Sequence, residues 1–269
     1  MTLMKSYKNV VITGAASGIG AALVARFAAE DASIVASDRN EVALRNVANR
    51  YNCNHITADV GVPSDVSSLA EKSWKLLGGV DLLCLNAGVA GPHKPAWEKS
   101  VAEWEWVLRP NLWGLIHGIQ SFVPRMIEQI TPSAILITAS AAGFISSPFG
   151  ADYLASKHAA VSIAESIAQE FQSLKIPIDV RVLCPGFVRT NILRSMRSQF
   201  DAQFNADSEA QLADYESLLE ASPSPEEVVD IALRQWNEGA FYLMTHPELD
   251  AYVERRHAAI SSRRLPELS

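Results

Sequence analysis

Short apolar runs and longer amphipathic stretches take turns along this chain almost from its first residues. The runs VVIT, DLLCLN, AILIT and VRVLC are nearly continuous in hydrophobic side chains, the pattern of strands covered by helices on both faces. With weaker β-branched runs they predict strands over 9–13, 33–37, 55–58, 81–86, 134–139, 179–183 and 241–244. Apolar positions at helical spacing predict helices over 18–30, 41–50, 64–77, 101–130, 152–174 and 225–236. Strand and helix in alternation imply right-handed crossovers, hence an α/β fold with a doubly wound parallel sheet of about seven strands in three layers, αβα. Residues 1–269 read as a single domain without internal repeats. The segment 187–225 breaks the rhythm; it is polar and helix-prone without a strand of its own, and is expected to cover a site. Residues 246–269 read as a C-terminal tail.

Composition narrows the function. At 269 residues and 48% hydrophobic, the chain can bury one sizeable core. A net charge of −7 without a basic stripe argues against nucleic acid or an anionic membrane as partner, and favours small molecules. No stretch approaches the length of a membrane span, and MTLMKSYKNVVITG has no signal-peptide pattern, so a cytoplasmic protein is expected. Cys53, Cys84 and Cys184 form no CxxC and the six histidines no HExxH, so neither a disulfide framework nor a metal site is expected.

Chemistry enters where strands end. In VITGAASGIGAAL a strand closes at Thr13, glycines follow at 14, 18 and 20, and a helix begins. The spacing differs from GxGxxG, but such a turn allows close backbone approach and points helix N-terminal amides at a pyrophosphate, as in Rossmann folds. Asp38, twenty residues after Gly18 at the end of the second strand, can accept hydrogen bonds from adenosine ribose hydroxyls; taken singly it can also be read as a helix N-cap. TADVG and LCLNAGVAG place Asp59 and Asn86 at the carboxyl ends of the third and fourth strands, where open α/β sheets bind ligands. AILITASAAG brings Ser140 to the same edge. Thirteen residues on, YLASK sets Tyr153 and Lys157 four apart, on one face of a helix.

TGAASGIG, NAG, a strand-end serine and YLASK in this order, with RPNLWG before Ser140 and CPGFVRT after it, resemble the short-chain dehydrogenase/reductase family over essentially the whole chain. The resemblance implies that Gly14, Ser17, Gly18, Ile19 and Gly20 form the pyrophosphate loop, that Asp38 holds the adenosine ribose beside Arg39, and that Asp59 and Val60 flank the adenine. It implies that Asn86, Ala87 and Gly88 line the cofactor cleft, that Asn111, Ser140, Tyr153 and Lys157 form the catalytic tetrad, and that Pro185, Gly186, Val188 and Thr190 embrace the nicotinamide. Pro110 stands inside the predicted 101–130 helix and should kink it beside Asn111.

The expected activity is NAD(P)-dependent hydride transfer between nicotinamide and a secondary alcohol or ketone, with no metal. Tyr153 acts as general acid/base, its phenolate favoured by the Lys157 charge; Ser140 fixes the reacting oxygen, and Asn111 holds a water. NAD is favoured because the Asp38 carboxylate repels a 2′-phosphate; Arg39, which could pair one, argues for NADP. Trp97, Phe144, Ile145, Phe149, Phe187, Ile192 and Met196 are the expected apolar walls, with His93, Arg189 and Arg194 able to meet a polar or acidic substrate. Two other classes are weighed: a catalytically silent dinucleotide sensor or scaffold, which would want a degraded tetrad, and a methyltransferase, which would want a different glycine loop. Leu112, Leu115, Ile116, Ile119, Phe122 and Val123 cover more of a helix than one sheet face requires, so a homodimer or homotetramer is expected.

Overall fold

The computed structural model describes residues 7–129, 131–192, 200 and 216–266. Seven strands form one wholly parallel sheet in the order β3-β2-β1-β4-β5-β6-β7. They are β1 (Asn9–Thr13), β2 (Ser33–Asp38), β3 (Asn54–Thr57), β4 (Leu82–Leu85), β5 (Ser133–Thr138), β6 (Ile178–Cys184) and β7 (Tyr242–Met244). The helices are α1 (Gly18–Ala28), α2 (Glu41–Tyr51), α3 (Pro63–Leu77), α4 (Val101–Leu108), α5 (Gly114–Glu128), α6 (Ala151–Leu174), α7 (Pro225–Asn237) and α8 (Asp250–Ser261). Strand order reverses between β1 and β4, which opens a crevice at the carboxyl ends of those strands.

The period-2 alternation of strand side chains sorts the apolar residues into two cores. Val11, Val35, Leu83, Ile135, Ile137, Val180 and Val182 face α3, α5 and α6, where Leu69, Phe122, Met126, Ala164 and Phe171 pack against them. Val10, Ile12, Ile34, Ala36, Cys84, Leu136 and Leu243 face the opposite way onto α1, α2 and α7, against Leu23, Phe27, Leu44, Leu233 and Trp236. Local signals set the helix ends: Ser100 with Glu103 and Ser224 with Glu227 form capping boxes for α4 and α7, and Gly78 stops α3 in a left-handed conformation (φ 77°).

Predicted and observed strands differ by at most one residue at each end. Larger differences lie in two places. The 101–130 helix is not continuous, for Arg109–Trp113 forms a turn of π-helix between α4 and α5, in which the Gly114 amide donates to the Arg109 carbonyl. Pro110 has no N–H to give, so one rung of the α-helical ladder is lost there, and the widened turn carries Asn111 into the interior; Pro124 loses the same rung inside α5 without widening it. The expected tail contains the helix α8, which has no buried residue. No helix among the described residues is long and apolar enough to cross a membrane.

Candidate active site

A cleft of about 970 Å³ runs across the carboxyl ends of the strands. Of the site residues named from sequence, Gly14, Ser17, Gly18, Ile19, Asp38, Arg39, Asp59, Val60, Asn86, Ala87, Gly88, Ser140, Tyr153, Lys157, Pro185, Gly186, Val188 and Thr190 all line it. Gly20 and Asn111 stand behind the lining. A Cβ on Gly20 would lie 2.1 Å from the Gly14 carbonyl oxygen, so glycine there is what lets α1 close on the end of β1. Gly14 itself takes φ +67°, and a Cβ there would lie 2.8 Å from the Ala87 Cα. Ser17 caps α1 in an extended conformation without a side-chain cap hydrogen bond, so its hydroxyl does not occupy the first-turn amides. That donor set, in a cradle a Cβ would fill, fits a pyrophosphate.

Asp38 is held at the end of β2. Its Oδ2 accepts from the Ala16 amide (3.2 Å) and its Oδ1 from the Asn40 amide (2.9 Å). Capping of α2 falls to Asn40, whose Oδ1 accepts from the Ala43 amide, so the N-cap reading of Asp38 does not hold. The Arg39 guanidinium lies 4.6 Å over the Trp106 ring, and the Trp106 indole N–H donates to the Ala90 carbonyl. Asp59 accepts from the Gly61 amide through Oδ1.

Asn86 braces three strand ends: its Nδ2 donates to the Thr13 carbonyl (3.1 Å) and its Oδ1 accepts from the Thr138 hydroxyl (3.0 Å). Thr13, not singled out in the sequence, holds the same corner by accepting the Asn86 and Ala87 amides at Oγ1. Asn111 accepts the Val89 amide at Oδ1 (2.8 Å), and its Nδ2 donates to the Val89 carbonyl and the Ser156 hydroxyl, both at 3.0 Å. Both Nδ2 protons are thereby used, and the side chain ties α6 to the loop after β4.

Ser140, Tyr153 and Lys157 meet on one wall. The Ser140 hydroxyl lies 3.2 Å from the Pro185 carbonyl and 3.1 Å from the Ala142 amide that donates to it, and it hydrogen-bonds Tyr153. Burial raises the Tyr153 phenol above the ordinary tyrosine value, with the Ser140 hydrogen bond working against it. The Lys157 ammonium sits 5.5 Å from the Tyr153 ring centroid and donates to the Thr138 carbonyl at 3.1 Å. Burial pushes Lys157 down to about 8, and the Cys184 thiol beside it up to about 12. Of the expected walls, Ile145, Phe149, Phe187 and Ile192 line the cleft. Trp97 is 85% exposed and Phe144 packs against Tyr242 and the core, so neither is a wall; Met196 and Arg194 fall outside the described residues.

A family model described as short chain dehydrogenase matches residues 8–201. The chain belongs to the short-chain dehydrogenase/reductase family. It is 30% identical to a CLA biosynthesis dehydrogenase/reductase of Lactiplantibacillus plantarum, over 98% of each chain. It is 38% identical to a 1-deoxy-11-beta-hydroxypentalenate dehydrogenase of Streptomyces arenae, over 70% of each. A crystal structure of a short chain dehydrogenase/reductase from Burkholderia phymatum in complex with NAD superposes with a TM-score of 0.91 at 32% identity, over 97% of each chain. This family member is thus an NAD(P)-dependent oxidoreductase with the family's Rossmann fold.

His246, which sequence reasoning left in the tail, is buried against one side of this dehydrogenase's cleft. Its Nδ1 accepts from the Gly186 amide at 3.0 Å and lies 2.9 Å from the Thr245 hydroxyl, while Nε2 lies 2.8 Å from the Phe187 carbonyl. One ring thus serves both a backbone donor and a backbone acceptor of the segment after β6, which assigns the proton to Nε2. A lone histidine after a short strand carries no sequence signal for such a role. Replacing His246 by Ala leaves the Gly186 amide and the Phe187 carbonyl without that ring, and should lower unfolding stability by about 1–3 kcal/mol. Urea denaturation checks this; unchanged stability would mean that solvent replaces the imidazole without loss.

Proposed function

We propose that the protein interconverts a hydrophobic secondary alcohol and its ketone, using NAD in preference to NADP, with Tyr153 as the general acid/base. The observation that carries this reading is the grouping of Ser140, Tyr153 and Lys157, hydroxyl to phenol and ammonium beside the ring, on the wall of the cleft. Bound NAD would accept the hydride and bring a positive nicotinamide close to the phenol. Tyr153 takes the proton of the substrate hydroxyl, or returns it to the carbonyl oxygen in reduction. Burial alone opposes the phenolate, so the step depends on positive charge nearby; Lys157, at about 8, still largely holds its proton at neutral pH. Ser140 positions the reacting oxygen and stabilises charge on it. In the same reading Asn111 keeps α6 in register, Gly14, Ser17, Gly18 and Ile19 receive the pyrophosphate, and Asp38 takes the ribose hydroxyls. Asp59 and Val60 flank the adenine, Asn86, Ala87 and Gly88 line the floor, and Pro185, Gly186, Val188 and Thr190 frame the nicotinamide.

The preference for NAD rests on the Asp38 carboxylate, which repels a 2′-phosphate, and on Arg39 being engaged by Trp106. The NAD complex of the Burkholderia phymatum relative supports it. The apolar substrate class rests on Ile145, Phe149, Phe187, Ile192, Leu219 and Leu249 along the cleft.

We also propose a homodimer or homotetramer. Leu115, Phe122 and Val123 belong to the core of the chain itself, and Ile119 packs against it, so these side chains do not form the surface that a second copy would cover. Trp97, Val101 and Trp113 are 85%, 74% and 51% exposed, and the last two line a hollow with Trp104, Glu105, Leu108 and Arg109.

Three outcomes follow from this reading. Tyr153→Phe should nearly abolish turnover with dinucleotide affinity intact, whereas Lys157→Ala should lose both; steady-state rates on a panel of secondary alcohols and ketones, read at reduced-nicotinamide absorbance beside calorimetric titration, check this. If Tyr153→Phe keeps most of the rate, the phenol only packs. Asp38→Ala should weaken NAD and improve NADP relative to it, and a wild-type protein that strongly prefers NADP would transfer the decision to Arg39. Light scattering should return a multiple of 29.3 kDa, and a mass of one chain sinks the oligomer.

A further inference from the structure

Beside Tyr153 lies an ion pair that the proposed chemistry does not use. Lys99 Nζ stands 2.9 Å from Asp152 Oδ1, with the two side chains 0% and 1% exposed. The same ammonium donates to the Pro92 carbonyl, and the same Oδ1 accepts the Tyr153 amide at 2.9 Å. Asp152 Oδ2 is buried without a hydrogen-bond partner, lodged where a Cβ on Gly91 would come within 2.2 Å of it. Lys94 adds a second tie from the same loop: its ammonium is 2.6 Å from Glu103 Oε1 on α4, and its amide donates to the Phe149 carbonyl. The lysine and proline belong to the loop that leaves β4 and walls the cleft, while the aspartate belongs to the first turn of α6.

Stability is a poor explanation for such a pair. Desolvating two charges offsets much of their attraction, and apolar replacements of buried pairs are often neutral or better. One carboxylate oxygen here also goes without a hydrogen bond, a cost with no return in folding. What the pair does supply is a short, directional link from the cleft wall to the backbone amide of Tyr153.

We propose that Lys99 and Asp152 are positioning residues for Tyr153, holding the first turn of α6 at a set distance from the loop after β4 so that the phenol meets the reacting oxygen in the productive geometry. The proposal rests on the reading of Tyr153 as the proton-transfer group. Neither side chain touches the reacting atoms. A displacement of the order of 1 Å at such a group can cost about a hundredfold in rate.

The decisive protein is the double variant Lys99→Met/Asp152→Asn, which removes both charges together and keeps an oxygen for the Tyr153 amide, so no buried charge is left unpaired. Lys99→Met and Asp152→Ala alone accompany it. Thermal midpoint, dinucleotide affinity by titration, and kcat and KM on a secondary alcohol or ketone turned over by the wild type are measured for each. The double variant should melt close to the wild type and bind dinucleotide within about twofold, yet lose about tenfold or more in kcat. A double variant as stable as the wild type with kcat restored to within about twofold overturns the proposal, as does a loss of dinucleotide affinity in step with kcat. If the single variants do not fold, the double variant still decides. Failure of the underlying reading looks different: Tyr153→Phe would then keep its rate, whatever the Lys99 variants do.

Discussion

A parallel sheet sealed by helices on both faces can offer polar groups to a ligand only at its strand ends. Everything in this cleft follows from that constraint. The strands themselves alternate into two dry cores, with Val11 and Leu83 on one side and Val10 and Leu82 on the other. Polar side chains therefore gather where β1, β2, β4 and β5 stop, as Thr13, Asp38, Asn86, Thr138 and Ser140. They also hold one another. Thr13 receives the amides that follow β4, and Asn86 joins β1 to β5, so the floor of the cleft is a hydrogen-bonded seam across the strands flanking the switch in strand order.

The fold was legible because its signals are local and repeated. Apolar runs and helical spacing each act within a few residues, and the parallel character of the sheet follows from alternation. The glycine loop, Asp38, Ser140 and YLASK were legible for a related reason: each sits at a fixed offset from a strand end that the hydrophobic pattern already locates. The π-turn at Arg109–Trp113 was half visible. Pro110 announced a break in the ladder, but whether a helix kinks or widens depends on what Asn111 finds inside, and its partners Val89 and Ser156 are 22 and 45 residues away.

The rest was hidden because it depends on tertiary contact. His246 reads as a lone histidine until β7 delivers it under Gly186. Lys99 and Asp152 are 53 residues apart and look like ordinary surface charges, as lysine and aspartate nearly always are. Trp97 differs the other way: an aromatic near the substrate end suggests a wall, yet the chain turns it to solvent. Single residues whose role is set by a long-range neighbour carry no period and no offset.

Electrostatics in the cleft point to an order of events. Burial pushes Lys157 down, Tyr153 up and Cys184 up, so these three groups lean toward their uncharged forms. Burial thus disfavours the phenolate, and in the proposed chemistry the Lys157 ammonium and a bound oxidised nicotinamide would together supply the positive charge that favours it. The Asp38 carboxylate, tied to Ala16 and Asn40, stands at the end of β2, with β1 and β4 between it and the β5 end that carries Ser140. A base activated by its own cofactor would not abstract protons from whatever else enters an apolar cleft. The buried Lys99–Asp152 pair is consistent with that economy of charge: it brings a cation and an anion next to Tyr153 together, so it can fix the position of the helix while adding little net charge to the site.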